Sequence, residues 1–212
     1  MSLPPPPPGF QLDTPKPPER GLFGSKPRKP RSSAPPPPEE FVLDAPTATD
    51  GDTVRDGETR VRLWGVDAPE LSQPGYLRDG STVPIGEQSR DALQGLLDNA
   101  PVALGPIAGR SYGRTVAPLE TGGDDAGMSI LRDGYGFAAP DYLKDDPERL
   151  GDYVQAERLA RMNRLGVHGT FAQDPGEFRK DPGYVVPRET VAQFFDTPTP
   201  ESAYSYRQHG QQ

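Results

Sequence analysis

The chain has 212 residues, and its 28 prolines, 24 glycines and 33% hydrophobic content predict one ordinary domain with flanking segments. It contains no cysteine and only two histidines, His168 and His209, which excludes disulfides, thiol nucleophiles and zinc-thiolate sites and leaves carboxylates, arginines, hydroxyls and an oxygen-bound metal for any catalysis. The net charge of −8 argues against bulk nucleic-acid binding, although it allows a local basic cleft.

Residues 1–40 form a proline-rich tail that we expect to be disordered, because it has no apolar periodicity and cannot bury enough surface to offset its ordering entropy. The tail contains the basic run KPRKPR (26–31), which either holds nucleic acid or keeps the tail soluble. The sequence shows no signal peptide and no membrane-spanning run. We therefore expect a cytoplasmic protein, or one associated with a larger assembly, with no membrane contact.

A repeat begins inside this tail. PPPPPGFQLDTP (4–15) and PPPPEEFVLDAP (35–46) agree at eight of twelve positions, and FFDTP (194–198) is a weaker copy. A peptide on a stiff polyproline stalk loses little entropy on binding, so 4–15 and 35–46 are candidate docking peptides for a protein partner. Low-complexity drift is the alternative for both copies, and the second is equally explained as the first strand of the domain.

The segment 41–169 reads as one α+β domain, mainly β. The runs FVL, TVR and TRVRLWGV predict strands, and Asp56-Gly57 predicts a tight hairpin between the last two. PVALGPI and SYGRTVAPLE predict further strands, whereas PIGEQSRDALQGLLDNA, GMSILRDG and PERLGDYVQAERLARMNRLG predict helices, the last ending at Gly166. Strands first with helices interleaved favour a small barrel over a doubly wound sheet. Residues 170–212 predict a mostly irregular tail, apart from a turn or two near RETVAQFF.

Carboxylates and arginines are concentrated around two predicted turns. Asp52 follows a turn glycine, and Asp67 follows the third strand, so a meander would place these two side chains side by side. Two such carboxylates repel each other unless a cation lies between them, and hard cations such as calcium and magnesium prefer oxygen ligands. Arg62 and Arg114 supply guanidinium groups suited to phosphate.

The position of Arg62 is less simple. It precedes Asp67 by five residues in a predicted strand, and plain alternation would place the two on opposite faces. A bulge or twist at Gly65 would bring them together. Taken alone, DGDT is typical of a turn and YGR is uninformative, and only their joint occurrence in order indicates a site.

The motifs DGDTV, RLWGVDAPE, YGRTVA and LRDGYGFA, in this order, resemble the staphylococcal nuclease-like, or thermonuclease, domain over about residues 41–169. The resemblance implies a five-stranded OB-fold-type barrel with about three packed helices. It also implies a calcium-dependent phosphodiesterase that acts on DNA and RNA. We expect a monomeric domain with DNA or RNA as substrate.

The resemblance also implies roles for individual residues. The calcium ligands fall on Asp52, Asp67 and the backbone carbonyl of Ala68, with Asp50 in an outer shell. Mg²⁺ stays an alternative metal, and no organic cofactor is implied.

The remaining family positions concern the substrate. Glu70 falls at the position that activates or orients the attacking water, and Arg62 and Arg114 fall at the phosphate-binding positions. Tyr112 falls at a tyrosine position near the nucleotide, and Tyr142 matches a second such position loosely.

Two functions remain open from the sequence. The first is a metal-dependent nuclease with Arg62, Glu70 and Arg114 as catalytic residues. The second is a non-catalytic binding or structural module that docks, through the repeated peptides, onto a larger assembly such as a phage particle or a mobilisation complex. The two are compatible, because a nuclease can be tethered to an assembly.

Overall fold

The computed structural model describes residues 41–197, so the tail 1–40, including the repeat copy at 4–15 and the basic run, and residues 198–212 lie outside the described residues. The described part is α+β, as the sequence predicts. Its helices contain more residues than its strands, so the expectation of a mainly β fold is wrong, whereas the domain 41–169 contains three α-helices, the number that the sequence predicts. Two of its five α-helices lie beyond residue 170, in the segment that the sequence predicts to be irregular.

The strands are short, and most contain two to four residues. In chain order they are β1 (Phe41–Leu43), β2 (Thr47–Ala48), β3 (Thr53–Asp56), β4 (Thr59–Leu63), β5 (Val66–Asp67), β6 (Gly75–Tyr76), β7 (Thr82–Val83), β8 (Val102–Leu104), β9 (Gly109–Ser111), β10 (Arg114–Ala117), β11 (Leu119–Thr121), β12 (Asp124–Asp125) and β13 (Phe137–Ala138).

The helices match the predicted ones up to residue 162. They are α1 (Ile85–Asn99), α2 (Ala126–Arg132), α3 (Pro147–Met162), α4 (Pro175–Lys180) and α5 (Arg188–Asp196), with 3-10 turns at Pro140–Tyr142 and Gly166–Gly169. Helix α3 ends at Met162, four residues before the predicted stop at Gly166, which instead begins the second 3-10 turn.

One sheet has the strand order β2-β3-β4-β10-β9. Strands β3 and β4 form the predicted hairpin, in which Asp56 pairs with Thr59 and Gly57 has a φ of +56°. A glycine is favoured there because residues with a Cβ rarely adopt a positive φ. Strand β10 runs parallel to β4 on its other side, with Thr115 opposite Val61. The two central strands of the predicted site are therefore neighbours.

A second sheet has the order β1-β8-β11-β12, and the second copy of the repeat enters it, because Phe41 on β1 pairs with Leu104 on β8. The chain passes from the first sheet to the second at Pro118, between β10 and β11. Proline has no N–H to continue a ladder, so it suits such a corner. Within residues 41–197 the strands do not close into the expected five-stranded barrel, because they are divided between these two sheets and two small ribbons.

The main core lies between the sheets and helices α1 to α3. Leu93 of α1, Ile130 of α2 and Tyr153 of α3 are almost fully buried in one apolar cluster with Val61 and Leu119. This packing holds the strands in place from the core side, so that their ends can carry polar groups.

The segment after residue 170 differs from the sequence prediction. Pro175 is the first residue of helix α4. Asp174 is the N-cap before it, and its carboxylate accepts a hydrogen bond from the Gly176 N–H. Phe178 and Val191 are buried, so α4 and α5 each place an apolar side chain against the rest of the domain. Burial of these side chains, rather than helix propensity, accounts for two helices in a proline-rich segment.

Among the described residues, none of the helices combines the length and the apolar character needed to cross a membrane.

Candidate active site

Three neighbouring strands bring the predicted site residues together. Thr53 on β3 lies opposite Arg62 on β4, and Arg62 lies beside Val116 on β10. Asp52 directly precedes β3, and Arg114 is the first residue of β10. A carboxylate and two arginines from separate parts of the sequence therefore meet at one place on the sheet.

Arg62 connects the two predicted calcium ligands. Its Nη2 atom lies 2.8 Å from Asp52 Oδ2 and 2.8 Å from Asp67 Oδ1. All three side chains are at most 15% exposed. Solvent and salt therefore screen these interactions less than they screen surface ion pairs. The two carboxylates lie side by side, as a meander requires.

A glycine turn places Arg62 and Asp67 on the same side. Strand β4 ends at Leu63, and Gly65 then adopts a φ of +78° before β5 begins. A Cβ on Gly65 would lie 2.6 Å from Leu143 Cδ1, so both the backbone conformation and the space favour glycine. This turn resets the alternation, so the chain corrects the offset at Gly65 with a turn between two strands rather than with the predicted bulge or twist.

The surroundings of Asp52 favour the neutral form of its carboxyl group. Burial raises the pKa of Asp52 to about 7, and the like charges of Asp50 and Asp67 act in the same direction. Arg62 and the hydroxyl of Thr53 oppose this rise in the pKa. Additional positive charge beside Asp52 would favour its ionised form.

Arg114 reaches the carboxylate of Asp52 through Thr53. The hydroxyl of Thr53 donates a hydrogen bond of 2.8 Å to Asp52 Oδ1, and Arg114 Nη1 donates one of 3.0 Å to the same hydroxyl oxygen. Thr53 is fully buried, so its orientation is fixed. Thr53 was not among the predicted site residues, although it directly follows the aspartate of DGDT.

The turn at 50–52 packs directly against the segment that contains Asp67. The Asp52 N–H donates to Asp50 Oδ1 at 3.0 Å, which closes the turn. A Cβ on Gly51 would lie 2.7 Å from the Cβ of Ala68 and would overlap Ser89. Only glycine allows the two segments to approach this closely.

We expect Gly51→Ala to destabilise the protein by about 1–3 kcal/mol, because the added methyl group forces the turn away from Ala68. The free energy of unfolding in urea measures this. Gly151→Ala is the matched control, since a Cβ at that position in α3 meets no atom within 4 Å and alanine favours helix. Equal stability of Gly51→Ala and the wild type would contradict the packing argument.

Glu70 projects from a loop that Gln73 holds in place. Gln73 is buried, its Oε1 accepts from the Glu70 N–H at 3.2 Å, and its own N–H donates to the Glu70 carbonyl at 2.8 Å. Its Nε2 donates to the carbonyl of Gln173 at 2.8 Å. The Glu70 side chain itself is 39% exposed. Sequence reasoning did not find Gln73, because its loop has no periodicity to indicate a buried position.

Arg179 of α4 is a third arginine in the cluster. Its Nη2 lies 2.9 Å from Asp67 Oδ2, and its Nη1 lies 2.8 Å from Glu70 Oε1. Burial lowers the pKa of Arg179, but the hydrogen bonds and charges of the two carboxylates outweigh this and raise it above its usual range. This residue was missed because it lies in the segment predicted to be irregular.

The two tyrosines occupy different surroundings. Tyr112 lies with Gly113 in the turn between β9 and β10, has a φ of +51° and is 96% exposed beside Arg114. Tyr142 ends the first 3-10 turn, and its backbone carbonyl accepts a hydrogen bond of 2.7 Å from the indole of Trp64. The contacts of the described residues do not join Tyr142 to the carboxylate cluster.

The donor set suits a hard divalent cation. Asp52 and Asp67 direct one oxygen each at a single nitrogen of Arg62, and Ala68 follows Asp67 directly. Calcium accepts carboxylate and carbonyl oxygens at about 2.3–2.6 Å and completes its shell with water. In the range 41–197, no group of three or more His, Cys, Asp or Glu side chains is arranged around one metal position. The structure therefore brings together two of the three implied ligands, Asp52 and Asp67, and the backbone carbonyl of Ala68 is assigned by the sequence resemblance alone.

Comparison with known families gives a match to the staphylococcal nuclease homologue family over residues 60–168. The chain belongs to this family. The matched range of this nuclease homologue includes Arg62, Glu70 and Arg114. Asp52 precedes the range and Arg179 follows it, yet the structure places both in the same cluster.

Three curated relatives show partial similarity. The chain is 30% identical over 120 residues to the succinoglycan biosynthesis protein ExoI of Rhizobium meliloti. This match covers 56% of the present chain and 60% of the relative. It is 30% identical over 137 residues to the probable endonuclease LCL3 of Clavispora lusitaniae, in a match that covers 60% of this chain and 56% of the relative. The identity to the probable endonuclease LCL3 of Scheffersomyces stipitis is 28% over 143 residues, in a match that covers 63% of this chain and 58% of the relative. The match thus spans less than two thirds of the length of each relative.

Proposed function

We propose that this nuclease homologue is a calcium-dependent enzyme that hydrolyses phosphodiester bonds of DNA or RNA by attack of an activated water. The observation that carries the proposal is the convergence of Asp52 and Asp67 beside Glu70, in a domain of a nuclease family. Two relatives are named as probable endonucleases, which supports the same reaction class.

Asp52, Asp67 and the carbonyl of Ala68 would hold the cation, with Asp50 outside these ligands. The bound cation would polarise a phosphate oxygen and neutralise part of the charge that develops on the phosphate. Burial of Asp52 supports this assignment, because a buried carboxylate gains more from an adjacent cation than an exposed one does.

The protein groups perform the other steps. Glu70 is exposed enough to meet solvent, and its carboxylate accepts a proton from the attacking water as the water oxygen bonds to phosphorus. Arg62 and Arg114 donate hydrogen bonds to the non-bridging phosphate oxygens while the bond from phosphorus to the leaving sugar oxygen breaks, and that oxygen takes a proton from solvent water. Tyr112 and Tyr142 would lie along the nucleotide, where an exposed ring offers a stacking surface.

The test is hydrolysis of fluorescent single-stranded DNA and RNA by the purified chain, with Ca²⁺, with Mg²⁺ and with chelator. We expect cleavage with Ca²⁺ and none with chelator. A Glu70→Gln variant purified in parallel controls for contaminating nucleases, which would cleave equally in both preparations. Absence of cleavage with either metal would overturn the proposal and leave the docking peptides as the candidate functional elements.

A further inference from the structure

Arg179 belongs to a segment outside the matched family range, and this segment packs against the site. The family match ends at residue 168, whereas α4 begins at Pro175. Pro175 and Phe178 are buried, and Gln173 accepts the hydrogen bond from Gln73. The backbone of α4 is therefore fixed against the loop that carries Glu70.

The guanidinium of Arg179 contacts two acidic side chains, Asp67 at the end of β5 and Glu70 in the following loop. Asp67 accepts from Arg179 through both oxygens, at 3.3 Å for Oδ1 and 2.9 Å for Oδ2, and it also accepts from Arg62 at 2.8 Å. Glu70 Oε1 accepts at 2.8 Å from Arg179 Nη1, the nitrogen that also donates to Asp67 Oδ1. Asp67 thus has two cationic partners, whereas Asp52 has an ion pair with Arg62 alone among the described residues.

The two arginines on Asp67 differ in their freedom. The side chain of Arg62 is 15% exposed and lies between two carboxylates, whereas that of Arg179 is 43% exposed at the solvent side of the cluster. A long side chain on a fixed helix can exchange one anionic partner for another by rotation of its own bonds. The planar guanidinium fork matches a phosphate as well as it matches a carboxylate.

We propose that Arg179 and a divalent cation compete for Asp67, and that Arg179, once displaced, becomes a third phosphate-binding arginine for the nucleic-acid substrate. This inference rests on the proposed function, because it takes Asp67 as a cation ligand. The C-terminal segment 170–197 is then a working part of the active site. Two positive charges on one carboxylate repel each other, so binding of either weakens binding of the other.

The first test is calorimetric titration of Ca²⁺ into the full chain and its Arg179→Ala, Arg179→Lys and Lys180→Ala variants. Removal of the competing charge in Arg179→Ala should tighten Ca²⁺ binding on the order of tenfold. Arg179→Lys keeps the charge without the fork and should fall between the two. Lys180→Ala is the matched control, because Lys180 pairs with Glu177 on α4, and its Kd for Ca²⁺ should equal that of the wild type.

The second test is the kinetics of single-stranded DNA cleavage at saturating Ca²⁺, where competition for Asp67 no longer limits the rate. Loss of a phosphate contact should raise KM for the DNA on the order of tenfold in Arg179→Ala, with partial rescue in Arg179→Lys. A purely structural role for Arg179 would lower the melting temperature and change neither the Kd for Ca²⁺ nor the split between KM and kcat in this way.

The outcomes separate the two proposals. If the wild type binds Ca²⁺ and Arg179→Ala binds it equally well, the competition is refuted while the nuclease proposal stands. If Ca²⁺ binding tightens but KM does not change, the phosphate role of Arg179 is refuted. If the wild type binds no Ca²⁺ at all, the metal assignment of the proposed function fails and this inference fails with it.

Discussion

Replacement of Glu70 with glutamine is expected to lower kcat for single-stranded DNA by about 10²- to 10⁴-fold at saturating Ca²⁺, the range typical of a lost general base. Glutamine has nearly the same size, and its carbonyl oxygen can still accept the hydrogen bond that Arg179 now donates. It cannot accept a proton from water at neutral pH. The initial rate of cleavage of a fluorescent oligonucleotide, measured over a range of substrate concentrations, gives kcat for both proteins.

The structure provides a matched control for Glu70. Glu177 is also a glutamate with an ion pair to a neighbouring cation, Lys180, and it lies on the exposed side of α4. Glu177→Gln should therefore cleave DNA at the wild-type rate. Binding of Ca²⁺ should change little in Glu70→Gln, because Glu70 is not among the proposed ligands. A kcat for Glu70→Gln within threefold of the wild type would show that another group activates the water.

Local rules predicted the part of the fold that carries most of the site. The hairpin of β3 and β4 follows from Asp56-Gly57 and alternating residues, and α1 follows from apolar spacing between Pro84 and Pro101. The sequence also identified Gly65 as the position where the offset between Arg62 and Asp67 must be corrected. Glycine at such a position is informative because few other residues adopt its backbone conformation.

Long-range packing decided what local rules could not. Arg179 contacts Glu70 across 109 residues of sequence, and no periodicity in the C-terminal segment indicates this pairing. The start of α4 was nevertheless visible, because an aspartate followed by proline, as in Asp174-Pro175, is a typical helix beginning. The predicted closed barrel failed for a similar reason, since the division of short strands between two sheets depends on a corner at Pro118.

The charge of the whole chain differs from the charge around the proposed site. Asp52, Asp67 and Glu70 add to the net negative charge, yet Arg62 and Arg179 form ion pairs with them and Arg114 reaches Asp52 through Thr53. The charge that matters for a phosphate is therefore local. A net charge of −8 is compatible with a nucleic-acid substrate when the guanidinium groups are concentrated in this way.

The variants Asp52→Asn and Asp67→Asn are expected to abolish calcium-linked stabilisation and DNA cleavage together. In the wild type, Ca²⁺ at 100 times its Kd should stabilise the fold by about 2.7 kcal/mol, which raises Tm by about 5–10 °C for a chain of this size. Each amide variant loses one of the two ionised ligands, so this shift should disappear. Thermal unfolding with Ca²⁺ and with chelator measures it.

The calcium-dependent difference in Tm is the relevant readout, because each variant also alters the folded state without metal. Asp52→Asn removes a costly buried charge but leaves Arg62 with one carboxylate, and Asp67→Asn leaves both Arg62 and Arg179 short of a partner. Asp91→Asn is the control, since Asp91 is exposed and pairs with Arg90 on α1. A variant at Asp52 or Asp67 that keeps both the calcium-dependent shift and the cleavage would remove that residue from the metal site, and the convergence on Arg62 would then be a purely structural ion pair.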